Sequence, residues 1–369
     1  MEKKPEVTKA ILIDERRIEL YWNMQVRRAD EEKQFEVRKN GEKLKLCHWK
    51  EDEDWDYGTV YQKEHERTTI CLEEPVDTAE AETIHVLPGS TIESLYDTSV
   101  EEGAEYTLKY EPYYTQFLKS NSGIQIKAGR SVGPATLKKA ASILDTMLVK
   151  IPEIAKILAE KGAEVAIYGL LENAYDIPEH RMGYLLASRP VEGFGGTLDA
   201  PVSSISEANV IRLRSGRYAT RYPHEMVLVH EYGHAIHLVG MKALPDQALS
   251  KQVMKTYQHA KKTGLWHDTY AISNYEEYFA TMSTIWFNVM QEGVDGKWDG
   301  IRGPVNTREE LKAYDPEAWK LMSQIYPDTV LPSPWDKNVN YYDLDGKPLS
   351  PDFEPYDLHS EKFEWQFIH

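Results

Sequence analysis

Cysteine is nearly absent from this chain. Its 369 residues hold two, Cys47 and Cys71. Neither lies in a C-x-x-C pattern, which excludes a zinc ribbon and a thioredoxin-type motif. One disulfide or two separate thiols are both open to them. Long apolar runs are also missing. Nothing approaches the ~20 residues of a membrane-spanning helix, so no membrane insertion is expected. Positive charge is in deficit. Lys and Arg number 43 against 60 Asp and Glu, for a formal net charge of −17. That balance opposes binding to nucleic acid or to an anionic membrane, because both need clustered basic side chains. The opening MEKKPEVTKA lacks the apolar core of a secretory leader. The expectations are a cytoplasmic chain, or an exported one whose leader lies outside this sequence.

What is present suits a globular protein. Hydrophobic residues make up 41 %, with 23 Tyr and 9 Trp, enough to bury a sizeable core. A prior of ~150 residues per domain gives two domains. Residues 1–112 read as short alternating strands: ILIDERRIELYW, FEVRKNGEKLKLCHW, TTICLEEPV, TIHVLPGSTI and YTLKYEPY, punctuated by KNGEK and LPGS. The expectation there is a small antiparallel β sandwich acting as an accessory domain. From 113 to 369 the character is mixed. Pro134 suits a first helical turn, Pro152 divides two helices, and Gly162 stops the second. AEVAIYGLL reads as a buried strand, and so does NVIRL, residues 209–213. Between them, residues 172–208 read as a long irregular region that includes EGFGGTLDAP. Helices are expected over PHEMVLVHEYGHAIHLVG, over 274–290 and over 308–324, and the tail from 330 is expected to wrap the surface. The fold class is therefore α+β, a small all-β domain followed by a larger mixed one.

The chemistry concentrates in HEYGH, residues 230–234. On a helix His230 and His234 project from the same face, so two imidazoles can reach one tetrahedral ion. Glu231 sits one residue on, beside the metal, where a carboxylate can take a proton from a bound water. MVLV before the motif and AIHLV after it make the helix apolar enough to be buried. Two histidines and a glutamate buried without a partner would be costly, and a metal removes that cost.

A catalytic zinc needs a third protein ligand and an open position. His237 continues the helix face, but a straight helix does not wrap a third imidazole, three residues after His234, around the same ion. It reads as structural or as a support behind the metal ligands. The better source is YAISNYEEYFATMSTIWF. Ser273 and Glu276 have the spacing of a capping box, while Glu277 lies on a polar stripe with Thr281, Thr284 and Asn288. Spacing alone leaves Glu276 and Glu277 as alternatives.

These residues carry a resemblance. VAIYG, DIPEHR, EGFGGTLDAP, SEANVIRL, MVLVHEYGHAIH, YAISNYEEYFA and VNTREELKAYDPE occur in order from about 113 to 330. Over that stretch, more than half of the chain, it resembles the catalytic domain of the anthrax lethal factor type of metallopeptidase. The resemblance implies a zincin-like domain of the gluzincin class that binds Zn2+ through His230, His234 and Glu277. It implies Glu231 as general base and Tyr270 as the tyrosine whose hydroxyl supports the oxyanion. Such sequences often carry an acidic residue where this one has Thr281, so a carboxylate that could orient a zinc-bound histidine is missing or supplied from elsewhere.

The function expected is a zinc-dependent endopeptidase with peptide or protein substrates. Its alternatives are a catalytically degenerate zincin acting as a binding protein and an effector protease with a single target. NVIRL is the expected sheet edge for an extended peptide, and EGFGGTLDAP the expected rim of the cleft. A β accessory domain suits a cell-surface or extracellular enzyme. Cleavage preference is not carried by any of these motifs.

Overall fold

A computed structural model describes residues 3–29, 32–47, 65–180, 191–213 and 218–331. They fall into two units. One covers the described residues up to Tyr113 and includes His180. The other covers Tyr114–Glu179 and the described residues from 191 onward.

The first unit is built from nine strands: β1 (Val7–Leu12), β2 (Arg17–Arg27), β3 (Phe35–Lys39), β4 (Glu42–Lys43), β5 (His65–Cys71), β6 (Ile84–Pro88), β7 (Glu93–Ser94), β8 (Tyr106–Thr107) and β9 (Lys109–Tyr110). One sheet has the order β5-β2-β1-β9, with β7 also on β2, and the other has the order β4-β3-β6-β8. Local chemistry explains the hairpins. Asp14 Oδ1 accepts from the amides of Arg16 and Arg17, both at 2.8 Å, and so turns β1 into β2. Asn40 and Gly41 both have positive φ, +50° and +85°, the pair that a tight β3–β4 turn demands. Alternation supplies the core: Leu12, Ile18 and Leu20 of one sheet share a cluster with Val37, Ile84 and Val86 of the other. Pairing is not wholly antiparallel as expected, because β9 runs parallel to β1. Cys47 and Cys71 are free thiols, half-buried, with sulfurs 2.9 Å apart.

The second unit carries a sheet of β10 (Gln116–Lys119), β11 (Gln125–Ala128), β12 (Val165–Tyr168), β13 (Gly193–Phe194) and β14 (Ser203–Ser206), in the order β10-β11-β12-β14-β13. The middle pairs are parallel and the outer pairs antiparallel. Its helices are α1 (Pro134–Leu148), α2 (Pro152–Glu160), α3 (Glu207–Ile211), α4 (Val227–Ala235), α5 (Ala248–Thr263), α6 (Tyr275–Trp286), α7 (Arg308–Tyr314) and α8 (Pro316–Ile325). Pro134 and Pro152 open α1 and α2, and Gly162, at φ +71°, follows α2. All four residues of β12 are buried, as befits an inner parallel strand. Ile126, Ile167 and Ile205 of the sheet meet Leu137 and Leu144 of α1 and Leu228 and Tyr232 of α4 in one core. The chain is thus α+β. Among the described residues no helix is long and apolar enough to cross a membrane.

Several expectations need correction. NVIRL is not a strand. The extended run is the preceding SSIS, and Ser206 caps a short helix by accepting from the Asn209 amide at 3.0 Å. Arg212, left-handed at φ +64°, ends that helix. Part of the supposedly irregular stretch is therefore sheet, with the Ser203 and Ser206 side chains spent on neighbours. The 308–324 helix is two, because the residue before Pro316 is forced out of the helical region. After α4 the backbone loosens into a π-helical segment, Ile236–Met241, that runs past Gly240. Helix α5 stood in no reading of the pattern. The tail from 332 lies outside the described residues.

Candidate metal centre

Helix α4 brings His230 and His234 to one face, with ring centroids 5.0 Å apart. Its start is fastened by Asn209, whose side-chain oxygen accepts from the Val227 amide at 2.8 Å. Its far side is fastened by Tyr232, whose hydroxyl donates to the Ala163 carbonyl at 3.1 Å. Gly233, the fourth residue of HEYGH, has a packing reason. A Cβ there would meet Ser283 Oγ at 3.1 Å and Ala280 Cα at 3.3 Å. The missing side chain lets α6 cross close against α4.

That crossing delivers Glu277. Its Oε2 lies 3.0 Å from His230 Nε2 and 3.4 Å from His234 Nε2. Two imidazole nitrogens and one carboxylate oxygen thus converge within 4.8 Å of one another, the only such group of donors among the described residues. Two nitrogens and one oxygen, with no fourth protein donor among them, are the donor chemistry of a catalytic zinc site. The phase of α6 decides between the two glutamates. Its cap is Asn274, which accepts from the amides of Glu276 and Glu277, and not Ser273, so the anticipated Ser273–Glu276 capping box does not form. Ser273 Oγ instead donates to the Tyr270 carbonyl. Glu276 turns toward Lys242, 3.7 Å away.

The electrostatics show a site that asks for positive charge. Burial pushes the Glu277 carboxyl up, but its hydrogen bonds to His230 and His234 win and hold it well below the usual carboxylate range. Burial pushes His230 down, and its bonds to Glu225 and Glu277 reverse that and hold it well above the usual imidazole value. Burial raises the Glu231 carboxyl, against the pull of the two histidines.

The EGFGGTLDAP segment lies on the same residues. A Cβ on Gly193 would come within 2.8 Å of Glu231 Cγ, and one on Gly195 within 2.4 Å of His234 Cβ. Strand β13 and the glycine that follows it therefore pack against Glu231 and His234. Tyr270, 49 % exposed, stacks on His230 with centroids 6.4 Å apart. Burial and the Glu277 charge push its phenol above the ordinary value, so it stays protonated.

His237 belongs elsewhere. It is fully buried between the rings of Tyr275 and Phe279, at 5.6 and 5.2 Å, with Nε2 3.4 Å from Ser250 Oγ. Burial drives its pKa down to about 3.

Three residues at the site escaped the sequence. Glu225 places Oε1 3.2 Å from His230 Nδ1. Asn209 donates from Nδ2 to the Glu225 carbonyl (3.0 Å) besides capping α4. Glu192 accepts from the amides of Arg221 and Tyr222 at 2.7 and 3.2 Å and from Ser206 Oγ, fixing the approach to Glu225. The only trace of Glu225 in the sequence is an acid standing immediately before an apolar run.

No protein-family profile matches the chain, and no curated protein matches it. Among solved structures it is similar to the PRO-PRO endopeptidase PPEP-2 from Paenibacillus alvei, with 18 % identity over 51 % of this chain and 90 % of that one, at a TM-score of 0.29. It is also similar to two structures of the S-layer protein SbsC, residues 31–844 and domains 1–6. Each shows 15 % identity over 32 % of this chain at a TM-score of 0.24. The chain spans about a sixth of the length of either S-layer structure, 16 %. No lethal factor stands among these three. At such TM-scores the site rests on its own geometry.

Proposed function

We propose that the second unit is a zincin-like peptidase domain and that the chain is a zinc-dependent endopeptidase, with the β unit as accessory. The convergence of His230 Nε2, His234 Nε2 and Glu277 Oε2, with Glu231 adjacent but outside the donor set, carries this reading. His230, His234 and Glu277 hold Zn2+. When bound, the ion supplies Lewis acidity toward a scissile carbonyl and brings the pKa of a water toward about 7.

The chain's own residues do the rest. Glu231, its proton affinity raised by burial, takes the proton of the attacking water and returns it to the leaving amine. Tyr270 keeps its phenolic proton and donates a hydrogen bond to the oxyanion as it develops. Strand β13 pairs only with β14 among the described residues. Its other edge, which pairs with no strand among the described residues, replaces NVIRL as the place where an extended peptide is received by strand addition.

Metal analysis should find about one zinc per chain. Glu231→Ala should keep that zinc and lose cleavage of a mixed peptide library, a fall of roughly 10²–10⁴-fold. Full activity in this variant would end the mechanism, and bound zinc without turnover in the native chain would make it a binding protein. Glu277→Gln should weaken zinc binding, whereas Glu276→Gln should not.

A further inference from the structure

The two histidines of the cluster are not equivalent. Each aims Nε2 at Glu277, so each has only Nδ1 left for an outer partner. His230 Nδ1 lies 3.2 Å from Glu225 Oε1. His234 Nδ1 is buried and has no hydrogen-bond partner among the described residues.

Glu225 is also held in place before any metal arrives. Its amide donates to the Tyr222 carbonyl at 3.2 Å, and its carbonyl accepts from Asn209 Nδ2 at 3.0 Å. It forms an antiparallel bridge with Met290, just beyond α6. The flanking amide of Gln291 donates to the His224 carbonyl at 2.7 Å. The backbone that carries this carboxylate is thus tied to α3 and to the segment that follows the helix bearing Glu277. Its side chain is mostly buried, 18 % exposed. An acceptor fixed this way selects the tautomer with hydrogen on Nδ1 and leaves the Nε2 lone pair for a metal. It also makes the ring a stronger donor.

We infer that Glu225 is the positioning residue of this centre: it orients His230 and raises its basicity, making His230 the stronger imidazole ligand. It does so from the loop before α4. The inference rests on the zinc reading of the site. It concerns how the ion is held and not which bond is cut.

The test is zinc affinity, measured on the full chain by competition with a chromophoric chelator. Glu225→Gln should bind zinc about 10–100-fold more weakly than the native chain, with the unfolding transition of the chelator-treated protein preserved. Glu276→Gln, one position from the ligand on α6, should bind as the native chain does. With Co2+ in place of zinc, the visible absorption of Glu225→Gln should shift, because the ligand field feels a reoriented imidazole; a residue that only supports the loop would not move it. Native zinc affinity and an unshifted cobalt spectrum in Glu225→Gln would overturn the inference. If that variant does not fold, Glu225→Asp keeps the charge on a shorter arm: weakened zinc binding supports the role, and unchanged binding overturns it. A native chain that binds no zinc would remove the reading of the site itself and this inference with it.

Discussion

The two units bury polar groups on different terms. In the β unit the buried groups are matched by neighbours on the same strand or the adjoining one. Glu19, 2 % exposed, has Arg67 at 3.5 Å and the Tyr21 hydroxyl at 2.9 Å, and the Trp22 indole donates to Thr68 at 3.0 Å. These arrangements are chemically closed. In the second unit Glu225, Glu231 and Glu277 crowd around two imidazoles, and His230 and Glu277 are pushed in opposite directions to survive there. Burying several charges costs several kcal/mol each unless geometry and partners repay it. The first arrangement is closed by the chain itself, whereas the second leaves three carboxyl groups crowded together. Closure in one unit and incompleteness in the other is the contrast to be tested.

The largest effect should come from filling the contact between Gly195, just after β13, and α4. Gly195→Ala puts a Cβ where His234 already stands, 2.4 Å from its Cβ and 2.7 Å from its Cδ2. Gly195 has no left-handed backbone, so the cost is one of space and falls on His234. A displacement of about 1 Å can cost on the order of 10²-fold in rate, and a loss of that size in kcat/KM on peptides is expected, together with weaker zinc binding. An alanine variant with native rates would mean that the backbone at Gly195 does not press on the site.

How far the sequence showed this arrangement follows from locality. The β hairpins were visible because alternation and Asn40–Gly41 act between adjacent residues, and α1 and α2 because Pro134, Pro152 and Gly162 mark their own ends. The i, i+4 spacing of His230 and His234 is likewise local. What stayed hidden depends on partners far along the chain. Strand β14 is SSIS, buried although mostly polar, because Ser203 Oγ accepts the Gly196 amide and Ser206 Oγ meets Glu192. Helix α5 buries only Val253, Thr256, Tyr257 and Ala260 along 16 residues, so its apolar stripe is thin. The direction of Glu277 turns on Asn274, not Ser273, being the cap: a shift of one residue rotates a helix by about 100°. Glu225 reaches His230 across the start of α4, outside any helical period.

A smaller effect probes the closed unit. The Cys47 amide donates to the Cys71 carbonyl at 2.8 Å, so the two residues face each other across neighbouring strands. Burial, with Cys47 beside it, pushes the Cys71 thiol up to about 12, so little thiolate exists at neutral pH. Oxidation with excess diamide at alkaline pH should remove two hydrogens and close a loop of about 25 residues, stabilising the β unit by about 3 kcal/mol. Intact mass and thermal unfolding with and without reductant read this out. Zinc affinity should not change, because neither sulfur is a donor. A zinc affinity that followed the thiol state would break the contrast between the units.

The smallest effect separates His237 from the centre it adjoins. This ring shares a helix run with His230 and His234, yet it is buried among aromatics and held at about 3, chiefly by burial and then by the positive charge of Lys242. An unfolded histidine titrates near ~6.5. Between those values the unfolded chain takes up a proton that the folded chain refuses, so His237 stabilises least at low pH and its contribution is lost as pH falls from about 6.5 toward 3. At pH 5 the loss is about 2 kcal/mol. His230 works the other way: held well above its ordinary value in the metal-free chain, it adds stability at low pH that fades as pH rises through its folded pKa. The difference between native protein and His237→Phe, both in chelator, cancels the His230 contribution and isolates His237. The variant should gain about 2 kcal/mol at pH 5 relative to its offset at pH 8, measured by denaturant unfolding, and should bind zinc as the native chain does. Loss of zinc from His237→Phe would instead make this histidine part of the incomplete cluster, and the line between closed and open burial would have to be redrawn inside α4 and its π-helical extension.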